Sequence, residues 1–131
     1  MSLKDIMQSQ LMYQASLGRR EFKTIEDRMN YIRDTCVALN VEVAEFLQEL
    51  PWKPWRDTED QHLDYDKAAD ELADVFIFAL NLWITLGQYA EGKAAAELAR
   101  RITSKQSINM DRLLQNYNTV NKNNTIINGD D

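Results

Sequence analysis

The chain is acidic and of ordinary composition, with 131 residues, a net charge of −6 at neutral pH, 44% hydrophobic residues and 27% charged residues. This length suits one domain with a modest core, and the composition is typical of a soluble globular protein. The acidic balance argues against broad binding to nucleic acid, because a phosphate backbone requires a basic protein face.

Targeting and redox features are sparse. The N-terminus lacks the apolar core of a signal peptide, and the longest apolar run, residues 75–86, is interrupted by Asn81 and is too short to span a bilayer. Cys36 is the single cysteine, which excludes an internal disulfide and suits a reducing compartment. We therefore expect a cytoplasmic protein that has neither nucleic acid nor a membrane as its partner.

Helical periodicity with few chain breakers predicts an all-α fold. The chain has four glycines and two prolines, and no alternating strand pattern stands out. A first helix is predicted over residues 3–17. A second is predicted over residues 25–50, with Thr24 as its N-cap, and it ends where Pro51 and Pro54 force a loop.

Three further helices are predicted after this loop, which gives a bundle of about five helices completed by oligomerisation. They cover residues 63–86, which end before a glycine, then residues 91–101 and 104–117. The chain after that is rich in asparagine and has almost no apolar anchor, which predicts a flexible tail over residues 118–131. Residues 1–117 are therefore predicted to form the functional domain.

Carboxylates cluster on one side of the second predicted helix. At about 100° per residue, Glu42, Glu45 and Glu49 fall in one arc, while the remaining positions are largely apolar. A helix that is apolar nearly all round is buried, so these acids are expected to line a slot between packed helices. Burying three like charges alone is costly, so a positively charged partner is expected.

The third predicted helix repeats the pattern, with Glu71, Asp74 and Asn81 on an otherwise apolar surface. One acid pair spaced i, i+3 is more often a solvated face than a site, but two such pairs in apolar helices indicate a metal. Antiparallel packing of the two helices would bring four carboxylates together, and hard oxygen ligands select Mg²⁺ or Mn²⁺ over zinc or copper. A ferritin-like di-iron site is excluded because it needs Glu-x-x-His pairs, and His62 is the single histidine.

These residues resemble the motifs of the all-alpha NTP pyrophosphatase superfamily, which includes MazG, the dimeric dUTPases and the dCTP pyrophosphatases. An ExxE at residues 42–45 precedes an ExxD at 71–74, a tryptophan-rich segment at 52–55 lies between them, and a KxxxNxxR pattern follows at 105–112. The resemblance covers about residues 14–112. It implies an all-α fold and a Mg²⁺-dependent reaction that converts a (deoxy)nucleoside triphosphate to the monophosphate and pyrophosphate.

The resemblance also implies roles for individual residues. Mg²⁺, with Mn²⁺ as a substitute, would be held by Glu42, Glu45, Glu71 and Asp74. A nearby carboxylate would activate the attacking water, and the candidates are Glu42, Glu45 and Glu49. The residues expected to contact the substrate are Gln14, Trp52, Trp55, Asn81, Lys105, Asn109 and Arg112.

The preferred base stays open at this stage. Gln14 is the nearest counterpart of a glutamine that reads uracil in the dimeric dUTPases, with the segment at residues 7–11 as a competitor, whereas Ile77 occupies a position where that branch commonly has a histidine. We expect dUTP or dCTP as the substrate, and a purine or modified deoxynucleotide is the alternative within the same chemistry. A non-enzymatic helical interaction module is the alternative outside it.

Oligomerisation is expected because the second and third helices are apolar on nearly every side apart from the acid arc. These faces include Phe46, Leu47, Phe76, Phe78 and Trp83. The other predicted helices are too short, and the fifth is too polar, to cover such faces, and soluble monomers avoid large apolar patches. Closed two-fold symmetry is the commonest way to bury such a face, so we expect a homodimer or a dimer of dimers.

Overall fold

The computed structural model describes residues 1–90 and 92–128, and those residues form four α-helices without a strand. A single 3₁₀ turn, Thr58–Asp60, lies in the loop between the second and third of these helices. The all-α fold class predicted from the sequence is confirmed. The helices are α1 (Leu3–Ser16), α2 (Ile25–Gln48), α3 (Tyr65–Gly87) and α4 (Ala94–Asn128).

Polar side chains determine where the first three helices begin. Ser2 and Asp5 form a capping box at the start of α1, in which each side chain accepts from the backbone N–H of the other residue. The Thr24 hydroxyl accepts from the Asp27 N–H at 3.0 Å at the start of α2, as predicted. Asp64 caps α3 in the same way.

The helices α2 and α3 form the principal pair, and α1 packs against α3. The pair is antiparallel, since Arg28 near the start of α2 bonds to Thr85 near the end of α3. At the other end, Glu49 after α2 contacts Lys67 near the start of α3. Buried apolar side chains in these three helices are Met7, Leu11, Ala68 and Ile84. The antiparallel arrangement places the two acidic motifs opposite each other.

The end of α3 is held by a charged side chain from α2. The Arg28 guanidinium donates to the Thr85 carbonyl at 2.9 Å, to the Leu86 carbonyl, and to the Gln88 side chain at 3.4 Å. The last carbonyls of a helix lack partners within the helix and carry its partial negative charge, which a cation offsets. Arg28 therefore joins the first turns of α2 to the residues at which α3 ends.

Replacing Arg28 with alanine is expected to lower the free energy of unfolding by about 2 kcal/mol, because charge-assisted hydrogen bonds to the helix end are lost. For a chain of this size, that corresponds to a fall of roughly 6–10 °C in Tm, which circular dichroism can measure. Arg33→Ala is the matched control, since Arg33 is exposed and bonds to Asn30 in its own helix at 3.4 Å. Equal Tm values for the two variants would contradict the prediction.

The helix count differs by one from the predicted number. Residues 94–101 of the fourth predicted helix and the whole of the fifth, 104–117, belong to the single helix α4, because no glycine or proline separates them. This helix continues to Asn128, through residues for which a flexible tail was predicted. Glu91, the predicted start of the fourth helix, and residues 129–131 of the predicted tail lie outside the described residues.

The chain divides into two compact units, Met1–Ala94 and Ala95–Asp131. The first contains α1, α2 and α3, and the second contains nearly all of α4. Exposed apolar side chains recur along α4, among them Met110, Leu113, Tyr117 and Val120. None of the described helices is both long and apolar enough to cross a membrane.

Candidate metal centre and nucleotide site

Three carboxylates converge between α2 and α3. Glu42 and Glu45 lie about one turn apart on α2, and Glu71 lies on α3. Each offers one oxygen, and the three oxygens all lie within 4.8 Å of one another. Carboxylate oxygens this close could hold one metal ion, and Mg²⁺, with ligands at about 2.0–2.1 Å, would draw them somewhat closer together.

The carboxylates of Glu42, Glu45 and Glu71 form the acid cluster, and one oxygen of this cluster is buried without a hydrogen-bond partner. The Oε2 atom of Glu42 has no hydrogen-bond partner among the described residues. Burial is the main cause that raises the pKa of Glu42 above the ordinary value of 4.5, and the charges of Glu45, Asp74 and Glu71 raise it further. An unpartnered buried carboxylate oxygen is costly, and a bound cation is a partner that would remove this cost.

Glu71 experiences the same crowding from the opposite helix. Its pKa is raised above 4.5 by burial first, and then by the charges of Glu45, Asp74 and Glu49. The structure thus brings three of the four predicted ligands together and places the fourth, the exposed Asp74, within electrostatic range of Glu42 and Glu71. Glu49, one of the predicted bases, is half-buried just beyond the last residue of α2.

The acid cluster fits a divalent cation that prefers hard ligands. Its donors are carboxylate oxygens, the ligand type that suits Mg²⁺ and Mn²⁺. The buried oxygen without a partner and the raised pKa values of Glu42 and Glu71 both indicate negative charge that the protein leaves uncompensated. A cation bound among Glu42, Glu45 and Glu71 would relieve that repulsion.

Without metal, the protein is expected to lose stability as the pH rises from 4.5 toward neutrality. The pKa values of Glu42 and Glu71 are raised in the folded state, so between the ordinary value of 4.5 and the raised values the folded chain binds more protons than the unfolded chain. The free energy of unfolding therefore falls with increasing pH through that window and stays low above it. Thermal unfolding in a chelating buffer across this pH range measures the effect.

The Glu42→Gln variant should show a flatter dependence of Tm on pH, because one of the two shifted groups is removed. Its control is Glu59→Gln, which removes the same charge from an exposed position in the loop. Adding Mg²⁺ to the wild-type protein should raise Tm most near neutral pH, where ionised carboxylates bind the ion. A Tm that increases steadily with pH in the metal-free wild type would contradict the prediction.

Gln14, predicted to read the base, is a core residue in the structure. Only 1% of it is exposed, and its side-chain oxygen accepts from the Tyr31 hydroxyl at 2.7 Å. Tyr31 in turn contacts the Phe22 ring and lies 5.3 Å from the Arg19 guanidinium. Gln14 therefore joins α1 to α2. Its predicted contact with the base would be a second role beside this structural one.

Asn81 extends the polar face of α3 away from the acid cluster and toward α1. It lies seven residues beyond Asp74, about 10 Å further along the helix axis. It is 7% exposed, and its Oδ1 accepts from Gln10 Nε2 on α1 at 2.5 Å. Gln10 lies in the segment at residues 7–11 that the sequence analysis named as a competitor of Gln14, and its spacing from the buried Met7 and Gln14 places it on the inner side of α1.

The two predicted tryptophans lie in the loop that follows the acidic motif of α2. Trp52 is half-buried and meets Trp55 edge to face, with 5.6 Å between ring centroids, whereas Trp55 is 70% exposed. Gln61 braces this loop by accepting from the Lys53 N–H and donating to the Lys53 carbonyl, both at 3.1 Å. An exposed indole on a braced loop is suited to stack on a planar ligand.

Three predicted substrate contacts, Lys105, Asn109 and Arg112, lie on α4 and are exposed. Their i, i+4, i+7 spacing places them within an arc of about 60° on that helix. They belong to the second compact unit, whereas the acid cluster belongs to the first. The three residues form one polar face of α4, and their contact with a substrate stays a prediction.

Lys67 is a further residue near the acid cluster that the sequence analysis did not single out. Its ammonium group lies 3.3 Å from the Oε1 atom of Glu49. A signal for it was present, because Lys67 precedes Glu71 by four residues and therefore lies on the same side of α3. That Lys67 pairs with Glu49 on the other helix could not be predicted in this way, because the pairing depends on how α2 and α3 are aligned.

The sequence model of a protein family described as dUTPase matches residues 2–128, nearly the whole chain. The chain belongs to the dUTPase family. Membership of the dUTPase family confirms the resemblance to the all-alpha pyrophosphatases and agrees with the all-α fold. At the level of the family, it supports a dUTP-type nucleotide pyrophosphatase. No curated protein and no solved structure matches the chain.

Proposed function

We propose that the protein is a Mg²⁺-dependent nucleoside triphosphate pyrophosphohydrolase that converts dUTP, and less readily dCTP, to the monophosphate and pyrophosphate. The supporting observation is the convergence of Glu42, Glu45 and Glu71 within 4.8 Å, around a buried and unpartnered oxygen of Glu42, in a member of the dUTPase family. Such an enzyme would act on the nucleotide pool of the cytoplasm, where the exposed Cys36 stays reduced.

The reaction that suits this site is hydrolysis at the α-phosphorus. A water oxygen forms a bond to that phosphorus, the bond from phosphorus to the oxygen that bridges it to the β-phosphorus breaks, and pyrophosphate leaves. The water's proton passes to a carboxylate, for which Glu42, Glu45 and Glu49 are the candidates. Bound Mg²⁺ would neutralise charge on the triphosphate and make the water easier to deprotonate.

The remaining predicted residues are assigned to the substrate by their chemistry. Lys105 and Arg112 carry positive donors that suit phosphate oxygens, and Asn109 can bond to a deoxyribose hydroxyl. Trp55 offers an exposed face for stacking on the base. Asn81 lies about 10 Å from Asp74 along α3, a span that suits a group beyond the phosphates of a bound nucleotide.

A panel of triphosphates tests the proposal. The purified protein is incubated with dUTP, dCTP, dTTP, dATP, dGTP or UTP, with Mg²⁺ or with a chelator, and pyrophosphate and orthophosphate are measured separately. We expect pyrophosphate from dUTP, somewhat less from dCTP, and none in the chelator. Orthophosphate as the product would overturn the proposed reaction, and the absence of any product would favour a helical interaction module. Purine deoxynucleotides far ahead of both pyrimidines would overturn the base preference alone.

We also propose that the protein is a homodimer or a dimer of dimers. Val37, Val41 and Phe76, on the helices that carry the acid cluster, are between 50% and 64% exposed. Several exposed apolar side chains on neighbouring helices are typical of a surface that a second copy of the chain covers. Light scattering at micromolar concentration should give at least twice the chain's 15.3 kDa. A mass near that of one chain would exclude this assembly.

A further inference from the structure

Glu49 occupies a position that electrostatics disfavour. It caps the C-terminal end of α2, where the partial negative charge of the helix lies, and the last turn of α2 contains no basic residue. Its charge also acts on Glu71, whose pKa it helps to raise. Because only 20% of the Glu49 side chain is exposed, water screens this repulsion incompletely.

Lys67 supplies a compensating charge. Its Nζ atom lies 3.3 Å from the Oε1 atom of Glu49, and 62% of its side chain is exposed, so it meets Glu49 from the solvent side. It precedes Glu71 by one turn on α3, which places it at the edge of the acid cluster. Within the described part of the chain, the other ion pair, Arg100 with Glu97, lies entirely on α4.

Glu49 is paired with Lys67 and does not join the converging carboxylates. Glu49 lies one turn beyond Glu45 on the same arc of α2, yet it is not among the three residues whose oxygens meet within 4.8 Å. Because Lys67 is largely exposed to water, its ion pair adds little to the stability of the fold. We therefore expect Lys67 to affect the orientation of the Glu49 carboxylate more than the stability of the fold.

We propose that Lys67 is a positioning residue that holds Glu49 at the rim of the acid cluster, as the carboxylate that orients the attacking water and not as a further metal ligand. This inference rests on the proposed pyrophosphohydrolase function and deepens it. Lys67 acts through Glu49 and needs no contact with the substrate. Without the ammonium group, the Glu49 carboxylate would be available as an additional ligand for a bound cation and would no longer be held where it can orient the water.

The test compares Lys67→Met with Lys67→Arg, and with Lys122→Met as a control at an exposed lysine of α4. Binding of Mn²⁺ alone is measured by calorimetry, and kcat and KM are measured with dUTP and Mg²⁺. We expect Lys67→Met to bind Mn²⁺ more tightly and to lose kcat, each by about tenfold, with KM little changed. Lys67→Arg keeps a cation at this position and should restore most of both properties.

The Glu49→Gln variant separates positioning from direct contact. If Lys67 acts through Glu49, adding Lys67→Met to Glu49→Gln should change kcat and Mn²⁺ affinity by less than about twofold. A raised KM with unchanged kcat in Lys67→Met would indicate contact with the substrate and would overturn the positioning role. Unchanged Mn²⁺ binding and kcat in that variant, beside an active wild type, would overturn this inference alone. A wild type that neither binds Mn²⁺ nor releases pyrophosphate would overturn the proposed function and this inference together.

Discussion

Substitution of Glu45 by glutamine should lower kcat for dUTP by about 10²–10³-fold while the protein stays folded. Glu45 contributes an oxygen to the converging set, and its charge helps to raise the pKa values of Glu42 and Glu71. The substitution removes negative charge that would hold the cation where charge develops in the transition state, and loss of one such electrostatic group typically has this effect. Steady-state release of pyrophosphate at saturating dUTP and Mg²⁺ measures it.

The same substitution should leave the metal-free Tm unchanged or raise it, because it relieves repulsion between crowded carboxylates. A loss of activity without a loss of stability distinguishes a functional cluster from a structural one. Glu59→Gln removes an equal charge from an exposed loop position and should alter neither property. Full activity in Glu45→Gln would rule out the proposed metal site.

The bounds of the first three helices were predictable because their signals are local. A cap acts on backbone groups within one turn, as Thr24 does at the start of α2 and Ser2 does at the start of α1. Pro51 ended the second predicted helix within a few residues of the observed end at Gln48. The continuity of α4 was harder to predict. Sequence signals mark the residues where helices begin and end, and no residue type marks a position where a helix simply continues.

The acid cluster was predictable as far as helical periodicity reaches. Two acid pairs spaced i, i+3, on helices joined by a loop, meet when those helices pack antiparallel, and Glu42, Glu45 and Glu71 do so. A helical wheel gives the direction of each residue around the helix axis but not how far its side chain reaches. It therefore did not show that Asp74 stays outside the set formed by Glu42, Glu45 and Glu71. The contact between Glu49 and Lys67 depends on the alignment of α2 with α3, which neither helix encodes alone.

Side-chain contacts join α2 and α3 at both ends of the helix pair, and crowded carboxylates lie between these contacts. Arg28 joins the start of α2 to the end of α3, and the Glu49–Lys67 ion pair joins the opposite ends of the two helices. Between them lie Glu42 and Glu71, whose pKa values are raised by burial first and then by the charges of neighbouring carboxylates. The Arg28 contacts lie away from the cluster and offset part of this local cost, as is expected where a functional site is built from groups that repel one another.

A second large effect is expected at Gln14, where Gln14→Ala should lower the free energy of unfolding by about 3 kcal/mol. The substitution deletes a side chain that is 1% exposed and leaves the Tyr31 hydroxyl without the partner that it has at 2.7 Å. For this chain length, the fall in Tm is roughly 10 °C. Met12→Ala, at a position 65% exposed on the same helix, is the control and should change Tm little.

Base recognition by Gln14 is measured separately, at a temperature well below the Tm of the variant. If the amide also contacts the base edge, Gln14→Ala should lose discrimination between dUTP and dCTP in kcat/KM more than it loses kcat, because such a contact is a binding contact. Tyr31→Phe keeps the amide but removes its hydroxyl partner, so it should lower stability by only about 1 kcal/mol and leave the dUTP to dCTP ratio unchanged. A ratio unchanged in both variants would assign Gln14 to the fold alone, whereas a Gln14→Ala variant as stable as Met12→Ala would contradict the role that its burial implies.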